Sequence, residues 1–118
     1  MKIYITGATG VLGKRIVKKL SSLGHNVVGM ARSAKGEETV RAHGGVSSRA
    51  NLFDKDALLK DMEGSDVVIH AATSIPVKTR LSQEDFALND RIRREGTRIV
   101  TDCAVETGAR RIIFQDVV

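Results

Sequence analysis

The chain has 118 residues, of which 42% are hydrophobic and 28% are charged, and this composition predicts one small globular domain. No apolar run approaches the roughly 18 residues that a membrane span needs, and the glycine-rich start does not resemble a signal peptide. Cys103 is the single cysteine, which excludes an intramolecular disulfide and a thiolate metal cluster, so we expect a cytoplasmic protein.

The net charge of +5 is typical of a protein that attracts an anionic ligand. Groups of basic residues fall on the first and the last predicted helices. Nucleic-acid binding is one interpretation of such faces, but one Tyr and three Phe leave few side chains that stack on bases. We therefore interpret the basic residues as solvated helix faces and do not expect a nucleic acid or a membrane as partner.

Residues 1–23 combine a short strand, a glycine-rich turn and an amphipathic helix. The glycines of the turn are Gly7, Gly10 and Gly13, and their spacing is one residue longer in its first gap than the dinucleotide fingerprint G-x-G-x-x-G. A diphosphate must reach backbone N–H groups at a helix N-terminus, and a Cβ in the turn would keep it away. The spacing therefore predicts a phosphate-binding turn, and the alternative is an ordinary tight βα turn.

Further elements follow in regular alternation. The pattern predicts strand 27–30, helix 35–43, strand 46–51, helix 55–63, strand 66–72, loop 73–81, a helix from 82 to 107 and strand 111–117. The first helix is expected to bury Leu12, Ile16, Leu20 and Leu23. Asp54 is expected to cap the helix that follows it.

This alternation predicts an α/β protein with a Rossmann-like, doubly wound parallel sheet of five strands in the order 3-2-1-4-5. Each crossover helix requires parallel strands and a right-handed connection. No repeat or linker divides the sequence, so we expect residues 1–118 to form one domain.

Several segments together resemble the extended short-chain dehydrogenase/reductases, which are the NAD(P)-dependent epimerase/dehydratase family. The segments are TGATGVLG at 6–13, NLFD at 51–54, HAA at 70–72, Gly96-Thr97, and RIIF at 111–114. The resemblance extends over essentially the whole chain. It implies an NAD(P)-binding domain, the N-terminal part of a longer enzyme.

The resemblance also implies three groups of cofactor-binding residues. The pyrophosphate would be lined by Gly7, Thr9, Gly10, Val11, Leu12 and Gly13. Asn51 and Leu52 would flank the adenine, and Ala71, Ala72 and Thr73 would lie beneath the nicotinamide-side ribose. The loop 73–81 would face the substrate.

The end of the second strand bears on the choice between NADP(H) and NAD(H). NAD enzymes usually place Asp or Glu there for the adenosine ribose hydroxyls, but here the sequence is Met30-Ala31-Arg32-Ser33. A guanidinium pairs well with a 2′-phosphate, so Arg32 and Ser33 favour NADP(H). The alternatives are that Arg32 is an ordinary surface arginine or that it stacks on adenine without selecting the phosphate.

The catalytic pair of the family, Tyr-x-x-x-Lys, is missing from these residues. Tyr4 is the only tyrosine, and it lies in the first strand. We therefore expect no catalytic residue here and no turnover by this chain alone. Two interpretations follow: the chain belongs to a longer NAD(P)-dependent oxidoreductase or epimerase, acting by hydride transfer on an alcohol or carbonyl such as a nucleotide sugar, or it is a non-catalytic NAD(P)H-binding sensor or regulatory module.

Other candidate residues favour structural roles. His70 follows a buried strand, so we interpret it as a packing residue and not as a general base. Cys103 lies on an apolar helix face, which predicts a small core residue. Three scattered histidines do not have the spacing of a zinc site. The helix 84–107 is a candidate homodimer interface, because this helix often contributes to a helical bundle in members of the family.

Overall fold

The computed structural model describes residues 1–71, 87 and 90–114, which form a five-stranded sheet with helices packed on it. The strands are β1 (Lys2–Thr6), β2 (Asn26–Met30), β3 (Val46–Ser48), β4 (Val67–His70) and β5 (Arg111–Phe114). The helices are α1 (Val11–Ser22), α2 (Ala34–Ala42), α3 (Lys55–Met62) and α4 (Thr97–Glu106), and a π-helical turn at Ile92–Gly96 leads into α4.

The strand order is β3-β2-β1-β4-β5, and every neighbouring pair is parallel. The predicted doubly wound α/β fold and its order 3-2-1-4-5 are thereby confirmed. From β1 the chain runs outwards to β3 and then crosses back to β4, so the direction of winding reverses between β1 and β4. The carboxyl ends of these two strands open the crevice in which ligands of such sheets bind.

Two hydrophobic clusters pack on opposite faces of the sheet, because successive side chains of a strand point to opposite sides. On β1, Ile3 and Ile5 belong to one cluster, and Tyr4 between them belongs to the other. The helix residues in these clusters are Val17 and Val40 on the first face and Leu58, Met62, Val100 and Cys103 on the second. Helices α1 and α2 therefore cover one face, and α3 and α4 cover the other.

The buried face of α1 agrees only in part with the predicted one: Ile16 and Leu20 are partly buried and pack against the core. Leu12 and Leu23 are 45% and 61% exposed, whereas Gly13 and Val17 are the buried residues of this helix. The glycine is the reason: Gly13 lies directly against the backbone of Gly7, and this contact turns positions 13 and 17 toward the sheet. The expectation that Leu12 and Leu23 are core residues is therefore wrong.

Side-chain caps begin two of the helices. Asp54 Oδ1 accepts a hydrogen bond from Ala57 N–H at 3.2 Å, which confirms the predicted cap of α3. Ser33 Oγ accepts from Gly36 N–H at 3.1 Å and caps α2 in the same way. These bonds satisfy first-turn donors that have no partner within the helix.

Some strands are shorter than their predicted spans. β3 ends at Ser48, not at Asn51, because its neighbour β2 ends at Met30 and Met30↔Ser48 is their last pair. β4 ends at His70, because Ala71 is not part of the strand, and the described part of β5 extends to Phe114. The predicted loop 73–81, the beginning of the predicted helix 82–107 and the last positions of strand 111–117 lie outside the described residues. Within the described residues, no helix combines the length and the apolarity that a membrane crossing requires.

Candidate functional site

A cleft of about 630 Å³ opens at the carboxyl ends of the strands, at the place where the winding reverses. Small-molecule sites commonly enclose roughly 300–1,000 Å³. The turn after β1 forms one part of the cleft wall, and the segments after β2 and β3 form the part beside it. The end of β4 and the π-helical turn complete the walls through Ala71 and Ile92.

The glycine-rich turn is folded tightly against its own helix. Gly7 has φ +69°, a left-handed conformation that favours glycine, and its carbonyl accepts from Gly10 N–H at 3.2 Å. A Cβ on Gly13 would lie 2.8 Å from the Gly7 carbonyl carbon and would overlap its oxygen. Gly13 thus allows α1 to begin directly on the turn, beside the cleft.

The N-terminus of α1 is suited to an anion. Gly10 is the N-cap residue, no described side chain caps this helix, and its first turn has no acidic residue. The first N–H groups of a helix lack internal acceptors and carry partial positive charge. A Cβ on Gly10 would meet only the Gly7 oxygen, at 3.5 Å, so the fold tolerates a side chain there. The glycine keeps the cleft side of this helix end open for a phosphate.

The part of the wall beside the glycine-rich turn contains two arginines, and we call Arg32, Ser33, Gly36 and Arg49 the basic corner. Arg32 directly follows Ala31 at the end of β2 and is exposed. Ser33 and Gly36 belong to the capped first turn of α2. Among the described residues that line the cleft, none carries a carboxylate. An anionic group in this corner therefore meets positive charge without an opposing negative wall.

Glu37 holds one of these arginines. Its carboxylate accepts from Arg49 Nε, from Arg41 at 2.9 Å and from Ser47 Oγ at 3.1 Å. The hydrogen bond from Arg49 lowers the pKa of the Glu37 carboxyl below its usual range, so Glu37 is anionic at neutral pH. Glu37 itself is not part of the cleft wall.

An apolar wall formed by Leu52, Phe53 and Ile92 also faces the cleft. Leu52 is buried, and a Cβ on Gly96 would lie 2.9 Å from its Cδ2 atom. The Arg91 guanidinium lies 4.0 Å from the centre of the Phe53 ring. The π-helical turn therefore packs on the back of this wall, and such turns are frequent at functional sites.

Asn51 supports the same wall through its side chain and its backbone carbonyl. Its Oδ1 accepts from Phe53 N–H at 2.9 Å, and its carbonyl accepts from Asp54 N–H at 3.0 Å. The two bonds form a tight turn that leads into α3. The turn leaves Asn51 exposed at the cleft, beside the apolar wall.

Thr6, His70 and Ala71 connect the ends of the two central strands. Thr6 Oγ1 accepts from Ala71 N–H at 3.2 Å and lies 2.7 Å from His70 Nδ1. Burial lowers the pKa of His70 to about 4, so the ring is neutral at pH 7. With its proton on Nε2, Nδ1 accepts the threonine O–H. The predicted packing role of His70 agrees with this buried position, and His70 does not line the cleft.

Two other reactive side chains also lie away from the cleft. Tyr4 is fully buried, its hydroxyl donates to Asp61 at 3.4 Å, and burial raises its pKa well above the usual value. Cys103 is a buried free thiol whose pKa is raised by burial, as predicted for a core residue. Within residues 1–71, 87 and 90–114, no cluster of His, Cys, Asp or Glu has the arrangement of a metal site.

Most of the predicted cofactor residues come together in the cleft. Those in its walls are Gly7, Thr9, Gly10, Arg32, Ser33, Asn51, Leu52 and Ala71. Val11 and Leu12 are exposed on the first turn of α1, and Gly13 is buried behind the turn, so these three do not form the wall. Ala72 and Thr73 lie outside the described residues.

Six wall residues were not predicted from the sequence: Met30, Gly36, Arg49, Ala50, Phe53 and Ile92. Gly36 had a usable signal, because it is the third residue of a helix that begins at the cleft. Arg49 directly follows the Val-Ser-Ser strand, but its place at the cleft depends on strand pairing and on its contact with Glu37. Ile92 comes from a distant helix, and its position depends on packing that no local pattern indicates.

A sequence model described as the NAD dependent epimerase/dehydratase family matches residues 3–115. The 3-diazoavenalumate denitrifying reductase of Streptomyces sp is 32% identical over 120 residues, a match that covers 99% of this chain and 38% of the relative. The chain thus spans well under half the length of this curated relative.

Solved structures have the same architecture. A short-chain dehydrogenase/reductase superfamily protein from Agrobacterium tumefaciens, crystallised with bound NAD, is 27% identical with a TM-score of 0.76, and the match covers 97% of this chain and 32% of that one. The UDP-glucose-4-epimerase of Stenotrophomonas maltophila, with bound NAD and formylated UDP-arabinopyranose, is 20% identical with a TM-score of 0.81, covering 97% and 36%. At that identity, the second likeness concerns the fold alone.

Proposed function

Because the chain belongs to the NAD dependent epimerase/dehydratase family, we propose that residues 1–118 form a domain that binds NADP(H) in the cleft. For the whole protein we propose hydride transfer to or from an alcohol or carbonyl carbon of a small substrate. When bound, the nicotinamide ring supplies the hydride donor or acceptor. The residues of this chain bind the dinucleotide and orient it.

The glycine-rich turn is proposed to hold the diphosphate. Support comes from the uncapped N-terminus of α1 and from Gly10, whose missing Cβ leaves the helix end open. Thr9 lines the cleft together with Gly7 and Gly10. Val11 and Leu12 extend from the first turn of α1 and are proposed to cover the diphosphate from the solvent side. Gly13 supports the turn from behind.

The observation that carries the choice of NADP(H) is the basic corner. NAD-binding folds usually present a carboxylate to the adenosine ribose at the end of β2, and Arg32 and Ser33 occupy that place here. A guanidinium binds a 2′-phosphate with two parallel hydrogen bonds. Asn51 and Leu52 are proposed to flank the adenine, and Ala71, Ala72 and Thr73 to lie beneath the second ribose.

Isothermal titration calorimetry with NADP⁺ and NAD⁺ tests this assignment. We expect wild type to bind NADP⁺ more tightly and Arg32→Ala to lose about tenfold or more of that affinity, since the hydrogen bonds to a charged phosphate are lost. NAD⁺ affinity is expected to stay nearly unchanged. Arg98→Ala on exposed α4 is the matched control, because it removes the same charge away from the cleft.

Equal binding of both dinucleotides by wild type contradicts the proposed preference. Equal losses for both ligands in Arg32→Ala instead indicate stacking on adenine. If neither dinucleotide binds, the assignment of the cleft itself is wrong.

A binding module without chemistry is the second candidate. The observation that favours it is the placement of Tyr4, the single tyrosine of the chain, which is buried and bound to Asp61 away from the cleft. We expect the 118-residue chain to bind the dinucleotide and not to oxidise or reduce alcohols and carbonyls, nucleotide sugars included. Turnover measured by nicotinamide absorbance with this chain alone would contradict that expectation.

A homodimer through the helix 84–107 is also proposed. In its described part, Val105 of α4 is an exposed hydrophobic residue, which suits an apolar contact. Sedimentation velocity tests it: wild type is expected as a dimer and Val105→Glu as a monomer. A wild-type monomer overturns the proposal.

A further inference from the structure

Arg49 has not been assigned a role by its position in the sequence, although it lies in the wall of the cleft. Its backbone directly follows β3, and its side chain is 54% exposed. The carboxyl ends of β2 and β3 are neighbours in the sheet, with Met30 paired to Ser48. Arg32 and Arg49 therefore approach the same corner from adjacent strand ends.

The contact between Arg49 and Glu37 leaves the guanidinium able to bind a ligand. The contact uses Nε of Arg49, so the terminal amino groups keep donors that this ion pair does not use. Glu37 also binds Arg41, and one carboxylate thus serves two guanidinium groups. With Arg32 included, the described side chains around the basic corner have an excess of positive charge.

The position of Glu37 explains why this carboxylate does not repel an anion in the cleft. Its side chain is only 18% exposed and is not part of the wall, whereas Arg49 is. An exposed ion pair by itself contributes little to stability. The ion pair with Glu37 instead fixes the orientation of the planar Arg49 guanidinium. A fixed guanidinium loses less conformational entropy when it binds a phosphate.

We propose that Arg49, oriented by Glu37, is a second specificity-determining residue that binds the 2′-phosphate of NADP(H) together with Arg32. The inference rests on the proposed function and adds a residue from β3 to the recognition of the adenosine end. Ser33 and the first turn of α2 border the same corner and supply a polar floor. Two guanidinium groups from different strands would then clamp one doubly charged phosphate.

The experiment compares 2′,5′-ADP with 5′-AMP, because these ligands differ only in the phosphate at issue. In titration calorimetry at fixed salt, Arg49→Ala is expected to bind 2′,5′-ADP about 10–100-fold more weakly, as for lost charge-assisted hydrogen bonds. Its affinity for 5′-AMP is expected within about twofold of wild type. Arg49→Lys keeps the charge without the fork and is expected to lose part of the preference.

Arg41→Ala is the matched control, since Arg41 binds the same Glu37 carboxylate and lies outside the cleft wall. It is expected to keep the wild-type preference for 2′,5′-ADP. A similar loss in Arg41→Ala would mean that disturbing the Glu37 network is sufficient, and it would overturn the direct contact.

The remaining outcomes separate the inference from the function on which it rests. If Arg32→Ala loses the preference and Arg49→Ala keeps it, the Arg49 assignment is wrong and the proposed function stands. Equal losses for both ligands in Arg49→Ala assign Arg49 to adenine stacking and also overturn the inference. If wild type shows no preference for 2′,5′-ADP, both the NADP(H) assignment and the inference fail.

Discussion

Two neighbouring parts of the cleft wall, the glycine-rich turn and the basic corner, are built in different ways. At the glycine-rich turn the backbone forms the site, through Gly7, Gly10 and the uncapped start of α1. At the basic corner, side chains form it, through Arg32 and Arg49 from neighbouring strand ends. The glycine-rich turn depends on the absence of Cβ atoms. The basic corner depends on positive charge, part of which is the Arg49 guanidinium in its ion pair with Glu37.

This difference determines how the glycine-rich turn and the basic corner respond to substitution. A backbone site has no side chain to remove, so a change there acts by adding atoms that clash or block. A site made of long exposed side chains loses its ligand contacts when they are shortened, and the fold remains. We therefore expect losses of stability at the turn and losses of selectivity at the corner.

The largest effect is expected from Gly13→Ala. The new Cβ overlaps the Gly7 carbonyl, which belongs to the backbone and has no rotamer through which to move. We expect the free energy of unfolding to fall by about 3 kcal/mol or more, because overpacking against backbone is not relieved locally. Urea unfolding followed by circular dichroism measures this change.

Gly10→Ala is the matched control within the same turn. Its Cβ would lie at an ordinary 3.5 Å from the Gly7 oxygen, so stability should change by less than about 1 kcal/mol. Dinucleotide affinity is nevertheless expected to fall about tenfold or more, since the methyl group faces the place proposed for the diphosphate. Equal destabilisation by both substitutions would contradict the division between packing and binding glycines.

The second effect concerns the link between Thr6 and His70 behind the turn. The folded-state pKa of His70 is about 4, whereas an unfolded histidine titrates near 6.5. The unfolded chain therefore binds more protons between these pH values, and stability falls as the pH drops from about 6.5 to about 4. The slope from this residue is at most about 1.4 kcal/mol per pH unit.

Unfolding of His70→Gln over the same pH range checks this assignment. The amide retains a partner for Thr6 but does not titrate, so the variant should have a flatter stability profile than wild type. An unchanged profile would show that the pH dependence arises from other groups.

The same contrast explains which features were predictable from the sequence. The tight turn was predictable, because glycines at fixed spacing along a local stretch indicate a strand that leads directly into a helix. The strand order was also predictable, since alternating strands and helices leave few topologies. Arg49 was not, because its place at the cleft depends on the pairing of β2 with β3 and on Glu37 of α2.

The exposure of Leu12 and Leu23 on α1 and the π-helical turn were both missed, and the reasons are related. The hydrophobic periodicity of α1 predicts that every leucine on one face is buried. The close contact between Gly13 and the Gly7 backbone instead sets which residues of α1 face the sheet. Similarly, a helical period over 82–107 gives no sign of the wider turn at Ile92–Gly96. In both cases a close contact at a glycine accompanies geometry that a hydrophobic period does not indicate.

The third effect is expected at the apolar wall. Gly96→Ala would place a Cβ 2.9 Å from Leu52 Cδ2, and the leucine must shift within the cleft wall. We expect NADP⁺ affinity to fall about threefold to tenfold. The free energy of unfolding should change by less than about 1 kcal/mol, because the better helix propensity of alanine offsets the strain.

Leu52→Ala tests whether the effect passes through this contact. The shorter side chain makes room for the new methyl group, so adding Gly96→Ala to Leu52→Ala should cost little further affinity. A double-mutant cycle in calorimetry gives the coupling directly. Additive losses would mean that Gly96 acts on the cleft by another path.

The smallest effect is expected from Arg91→Ala. The guanidinium lies 4.0 Å from the centre of the Phe53 ring and also pairs with Glu95 at 3.0 Å, and both contacts are exposed to solvent. A cation–π contact at such a site contributes about 0.5–1 kcal/mol, so the unfolding free energy should fall by no more than that. Affinity for 5′-AMP and for 2′,5′-ADP should fall equally, because Phe53 lines the cleft without touching the proposed phosphate position. A selective loss of affinity for 2′,5′-ADP would instead make Arg91 part of the basic corner, and the apolar wall would then not be separate from the phosphate site.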